Sequence, residues 1–429
     1  MKTSVLRWGI FALIACCSVP PVFAQGVMLR CVGAVNESVG GVAAAMPIDA
    51  SGALYWNPAS ISAFKQNEIQ IGVELIQPHS RATAEIPGTP FVDSRKSETG
   101  ITPVPSMAFV WKRCPKSPLT FGLGVAGVGG ASALYAHTAS SPLGTALDPA
   151  LGTGAGATIA NSILGKSSNV IVMQITPTVS MQITDKLSVG AAPVIDLASL
   201  TINPMSLGGI VDDSLVSYGT RYAWGGGFQI GTYYDFKNHF KAGFMFKSPI
   251  WAENIYFSGV TQTGPHARSF DLNLPLTLAG GLSFDGFRNT IIGFDVRYLD
   301  YAHTAGFKKG LNPLTGVVEG LDWDSVFSIG VGAEHRFTNK LKGRIGYSWN
   351  ENPIPSRSTV LNVSAPLLSQ HLLTFGFGYE IQRNLEFSLT YAHAFRANVS
   401  GMYPDPRLPL LISNEASADT VSAGISKKW

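Results

Sequence analysis

Gly122, Gly124 and Gly127 stand at the G-x-G-x-x-G spacing. That spacing lets a pyrophosphate approach bare backbone where a strand ends and a helix begins. Here Phe121, Leu123 and Val125 keep alternating with the small residues, so the strand runs on through the glycines and no phosphate cradle forms. Glycines inside a continuing strand suit a kink or bulge instead. Neither G-x-S-x-G nor H-E-x-x-H occurs, and the 8 histidines are scattered singly. A Ser/His pair assembled from distant parts of a fold leaves no local signature, and no residue calls for one. No C-x-x-C or other metal spacing is present. The sequence therefore offers no catalytic residue, metal site or cofactor.

The 429 residues suffice for two or three soluble domains or one large barrel. Only 14% are charged, against roughly 25% in an ordinary soluble domain. Apolar residues make up 45%, and there are 46 glycines. A net charge of +3 with no Lys/Arg run argues against a nucleic-acid partner.

Residues 1–24 read as a secretory signal. Lys2 and Arg7 supply its charge, Trp8 to Ala15 its apolar stretch, and Val22-Phe23-Ala24 the small residues before a cut at Gln25. Leu13-Ile14-Ala15-Cys16 also fits a lipoprotein box, which would make Cys16 a lipidated N-terminus. Cys31 and Cys114 remain in the exported part, where oxidising conditions leave a disulfide between them open.

Beyond the leader no run of 18 apolar residues occurs, so no transmembrane helix is expected. The dominant signal has period two. Ile292, Phe294, Val296 and Tyr298 alternate with Gly293, Asp295 and Arg297. Leu341, Ile345, Tyr347 and Trp349 alternate with Lys342, Arg344 and Ser348. Phe375, Phe377, Tyr379 and Ile381 do so with Gly376, Gly378 and Glu380. Similar segments bring the count to about fourteen, an even number of roughly ten-residue spans, as single-chain membrane barrels require. Their connections alternate between short polar turns, such as 184–186, 338–340 and 382–384, and long ones, such as 78–103, 129–168 and 301–324. Short turns on one side and long loops on the other belong to outer-membrane barrels. A secreted two-sheet protein also alternates, but its wet face is charged; here the second face is mostly Gly, Ala, Ser and Thr. Aromatics near strand ends (Trp111, Tyr234, Phe236, Trp251) fit interfacial girdles. The expected fold is an all-β membrane protein: a fourteen-stranded antiparallel transmembrane β-barrel over residues 67–429.

Residues 25–66 do not read as strands. A barrel this wide leaves a bore its own side chains cannot fill, and an Ala/Gly-rich N-terminal segment is a natural plug. Within it lie Asn36-Glu37-Ser38, an Ala/Gly run to Ala45, Asp49-Ala50-Ser51, and Asn57-Pro58-Ala59 just before the first strand. On these motifs, the strand pattern and the C-terminal Trp429, the chain resembles the FadL/TodX (OmpP1) outer-membrane transporters of long-chain fatty acids and hydrocarbons. The resemblance implies a Gram-negative outer-membrane location, a barrel stoppered by an N-terminal hatch, and monomeric uptake of a hydrophobic small molecule, most of all a long-chain fatty acid. It also implies passive, ligand-gated diffusion and sideways release into outer-membrane lipid at a kinked third strand. Gly122, Gly124 and Gly127 are the expected kink. Trp429 resembles the signal read by the barrel assembly machinery.

Asn57-Pro58 would start a helical turn and tie the hatch to the wall. A fatty-acid carboxylate needs an unpaired cation, for which arginine is the best partner; Arg297 and Arg221 are the candidates among the bore-facing charges. Glu334 and Arg344, on adjacent strands, are expected to pair. The apolar loop 129–168 reads either as a landing surface for greasy molecules or as an internally packed helical loop. A general porin lacks such an N-terminal segment, and an adhesin would use its long loops on other surfaces.

Overall fold

The computed structural model describes residues 25–429 except 115–116, 139–140, 152–154, 204, 207–213, 216–219, 262–263, 311–318 and 405–407. The expected leader, its cleavage site and Cys16 lie outside the described residues.

The wall is a closed barrel of 14 antiparallel strands. In chain order these are β1 (Glu68–Glu85), β2 (Thr102–Trp111), β3 (Leu119–Leu134), β4 (Ser167–Gln182), β5 (Leu187–Asn203), β6 (Arg221–Asp235) and β7 (Phe240–Lys247). They continue with β8 (Thr277–Phe287), β9 (Thr290–Leu299), β10 (Val326–Arg336), β11 (Leu341–Asn350), β12 (His371–Gln382), β13 (Leu385–Met402) and β14 (Leu411–Lys428). Each pairs with the next, and β14 closes on β1 from Glu68↔Lys428 to Glu85↔Leu411. Trp429 and Asn67 exchange backbone hydrogen bonds (3.1 and 3.2 Å) at the end of that seam.

Closure removes the free edges that lipid cannot satisfy. The alternating apolar residues point outward: Ile71, Phe294, Phe375 and Ile425 are exposed on the outer wall. Lys237, Asn289 and Asn384, in three of the short turns, take positive φ, a conformation that Asn adopts more readily than most residues. Several strands run beyond the expected limits at their long-loop ends: β1 to Glu85, β3 to Leu134, β13 to Met402. In β1 and β13 the extensions carry polar outward residues such as His79, Arg81, Asn398 and Ser400, so they leave the apolar alternation while keeping the ladder.

Prolines interrupt the wall in two places. The β1–β2 ladder is unbroken from Thr102 to Val110. Its bonds therefore come from Thr102, Val104 and Ser106, and the donors missing at Pro103 and Pro105 are on the β3-facing edge. The β2–β3 ladder accordingly ends at Ser106↔Ala126. Between β4 and β5 the register passes from Ile175↔Ile195 to Val179↔Ala191; Pro177 and Pro193 face each other across the gap. There Thr178 Oγ1 donates to the Thr176 carbonyl (3.1 Å).

Inside sits the hatch, with two short helices, α1 (Ala34–Ser38) and α2 (Ala50–Trp56), and a 3-10 turn at Ser60–Ala63. Asp49 caps α2 by accepting from Gly52 N (3.0 Å). On the long-loop side, α3 (Pro142–Leu151) and α4 (Ala155–Leu164) form a helical pair. Leu143, Leu147, Ile163 and Leu164 are buried against Ala82, Ala84, Leu410 and Ile412. The landing-surface reading of this loop is thus corrected: these apolar residues pack inward.

Cys31 is buried in the hatch and Cys114 is exposed in the turn after β2, both as free thiols. The disulfide left open by the sequence is not formed, because the two lie on different layers of the molecule.

Candidate functional site

The hatch has little regular structure, so wall side chains satisfy its backbone. Asn57 Nδ2 donates to Ala44 O (2.7 Å) and to Thr232 O on β6 (2.9 Å), while its Oδ1 accepts from Ala59 N (3.0 Å). One amide thus ties hatch to wall and also caps the turn that Pro58 and Ala59 begin. Asp295 accepts from Ala43 N (2.9 Å) and Ala44 N (3.1 Å). Ser283 donates to Ala45 O (2.6 Å), Gln229 to Leu54 O (2.9 Å) and Thr390 to Ala34 O (2.7 Å). Wall glycines let this backbone come close. A Cβ on Gly243 would overlap Ala44 O, and one on Gly190 would overlap the backbone at Pro58.

The same logic sorts the glycines of β3. Gly122 and Gly124 are in regular register with Val110 and Ala108, and a Cβ on Gly122 would meet Leu54 of the hatch at 2.5 Å. The kink expected over all three is corrected: Gly122 and Gly124 are packing positions. The irregularity begins at Gly127, where the β3–β4 register shifts between Gly127 and Gly129.

Above Ala126, β3 has lost β2, and another segment takes the vacated edge. Leu29 N donates to Val128 O (2.8 Å) and Gly130 N to Val27 O (3.0 Å), making an antiparallel bridge between Met28 and Gly129. The N-terminal part of the hatch therefore replaces β2 as a short strand. It is held from above by Tyr301, whose hydroxyl donates to Gln25 O (2.9 Å) and accepts from Met28 N (3.3 Å).

A cavity of about 240 Å³ lies between this segment and the gap. Pro103, Val104 and Gly127 line its wall side, Met28 and Arg30 its hatch side, and Leu372 its far side. Apolar surface dominates it. Its charged lining residues are Arg30, Glu37 and Glu74. Glu74 accepts from Gly33 N (2.5 Å), and Ser422 donates to Glu37. Burial pushes the Glu37 carboxyl up to about 7, with the Ser422 hydroxyl pulling it back. Burial brings Arg30 down to about 10, which leaves it a cation at neutral pH.

The two arginines singled out from sequence stand elsewhere. Arg297 bonds Asp295 (3.2 Å) and Arg30 O (3.1 Å), also donates to Gly41 O, and lies 3.5 Å from the centre of the Trp56 ring. Its guanidinium holds the hatch. Arg221, at the long-loop end of β6, donates to Tyr256 O (3.2 Å). Neither lines the cavity. Glu334 and Arg344 pair at 2.7 Å. The sequence reading missed Arg30, although it is the sole charge between Gln25 and Asn36. It also missed the Pro-x-Pro of β2, which marks a strand edge that cannot pair.

A plugged barrel with an apolar cavity beside a break in the β2–β3 ladder suits hydrophobic molecules. Residues 21–424 match the model of the outer membrane protein transport protein family (OMPP1/FadL/TodX). The chain belongs to that family; it is an outer-membrane transporter of hydrophobic compounds and not an enzyme. No curated protein matches it in sequence. Among solved structures it resembles the Pseudomonas putida toluene transporter TodX, at 18% identity over 94% of this chain and 99% of that one, TM-score 0.66. It also resembles a Pseudomonas aeruginosa FadL homologue at 13% identity over 94% and 99%, TM-score 0.70. The Ralstonia pickettii toluene transporter TbuX matches at 17% identity over 94% and 99%, TM-score 0.65.

Proposed function

We propose that the chain takes up long-chain fatty acids by passive diffusion and releases them sideways, through the gap between β2 and β3, into outer-membrane lipid. The observation carrying this reading is the cavity that lies between the hatch and the edge of β3 that β2 leaves above Ser106 and Ala126. A greasy molecule gains nothing by entering the aqueous periplasm and is stabilised by moving directly into the bilayer. Ligand would displace Val27–Leu29 from β3, because that bridge covers the same edge. The hatch below stays seated and keeps polar solutes out. Trp429, closing the last strand against Asn67, is the residue the assembly machinery would read.

A second reading, a neutral aromatic hydrocarbon, is favoured by the apolar cavity walls and by the likeness to toluene transporters. Uptake of labelled oleate, and separately of labelled toluene, in a transporter-null host separates the two. Faster oleate uptake supports the first reading; faster uptake of toluene alone replaces it with the second.

A further inference from the structure

We infer that Arg30, on the hatch segment that covers the β3 edge, is the residue that distinguishes a hydrophobic molecule with an anionic head from a neutral one. The inference rests on the cavity assigned above as the passage for substrate.

Arg30 lines the cavity. Its guanidinium donates to Gln370 O (3.2 Å) and to Ser369 O, both neutral carbonyls. Among the described residues it has no carboxylate partner. The fully buried arginines of the bore do have one: Arg297 has Asp295, and Arg344 has Glu334 and Glu386. Arg30 is half-buried, and a cation drawn out of water without an anion is unfavourable unless something supplies the countercharge. Two of five N–H groups are engaged here, so three remain for a bidentate carboxylate.

The acids of the cavity do not fill that role. Glu74 accepts from Gly33 N, and Ser422 donates to Glu37, so each carboxylate is bonded to a group other than Arg30. A ligand with its carboxylate on Arg30 would lay its tail along Val104, Pro103 and Gly127 toward the gap. Arg30 stands two residues from Met28, which bridges Gly129. Head recognition and cover of the gap thus reside on one segment.

The test uses the full-length protein in lipid nanodiscs with two probes of equal chain length, 11-bromoundecanoate and 11-bromoundecanol, read by quenching of tryptophan fluorescence. The readout is the ratio of the two affinities. Native protein is expected to prefer the acid by roughly 10- to 100-fold, the worth of a charge-assisted hydrogen bond. Arg30→Gln should remove that preference while alcohol binding stays within about two-fold, and Arg30→Lys should keep most of it. A native protein that binds both probes equally, or a preference that survives in Arg30→Gln, overturns the inference. Should Arg30→Gln bind neither probe, Arg30→Lys decides: a retained preference supports the inference, and a lost one overturns it. Native protein that binds neither probe refutes the passage itself and, with it, the transport reading.

Discussion

Met28 bridges Gly129 on the stretch of β3 that β2 abandons at Ser106. A Cβ on Gly129 would sit 2.9 Å from Val27 O, too close for the segment to stay. Gly129→Val should therefore free residues 27–29 from β3 without unseating the rest of the hatch. Amide hydrogen exchange checks this: protection at Leu29 and Gly130 should fall at least ten-fold, while that at Asn57 should not change.

Pro103 and Pro105 make the gap by withholding donors. Replacing both with threonine restores two donors at about 1 kcal/mol per hydrogen bond, enough to extend the β2–β3 ladder above Ser106. The double variant should still fold, as shown by heat-modifiable migration on gels, and its initial rate of oleate uptake should drop at least five-fold.

Asn57 holds the hatch through two donated bonds, to Ala44 O and Thr232 O. Asn57→Ala leaves buried polar groups unbonded, at a cost of about 1–3 kcal/mol. The released state should become one to two powers of ten more populated. Single-channel recording in planar bilayers would register this as more frequent openings to a large aqueous pore, and cells would become more sensitive to large antibiotics.

Seating should also depend on pH. With the hatch seated, burial holds Glu37 at about 7; with the hatch released into water, a glutamate titrates near ~4.3. The seated state keeps a proton that the released state gives up between those values. Seating is therefore firmest below about pH 4 and weakens as pH rises through 7. Leak openings should be more frequent at pH 8.5 than at pH 5.5; Glu37→Gln should reduce the difference, and Asp49, which burial also pushes up to about 7, should carry part of what is left.

Much of this architecture was legible in the residues. Phe294, Phe375 and Ile425 alternate because lipid lies on one side and the bore on the other, so strand number and closure follow from periodicity. The extensions of β1 and β13 were not legible, because outside the lipid band the outward residues turn polar and the apolar signal stops. Gly122 and Gly127 look alike in sequence. One accommodates Leu54 and the other borders a broken ladder, a distinction set by neighbours far along the chain. Arg297 was a sound electrostatic candidate, but its partners Asp295, Trp56 and Gly41 converge only in the folded bore. Arg30 was not legible because nothing local marks a cation that pairs with no carboxylate among the described residues.

The sideways route is tested most directly by closing the gap. A Cβ on Gly127 would lie 3.6 Å from that of Val104, within the range a disulfide requires. In a Cys114→Ser background, the pair Val104→Cys and Gly127→Cys should cross-link under oxidation. Oleate uptake by the oxidised protein should fall to the level of cells without the transporter and recover on reduction. Undiminished uptake through fully cross-linked protein would contradict the sideways route.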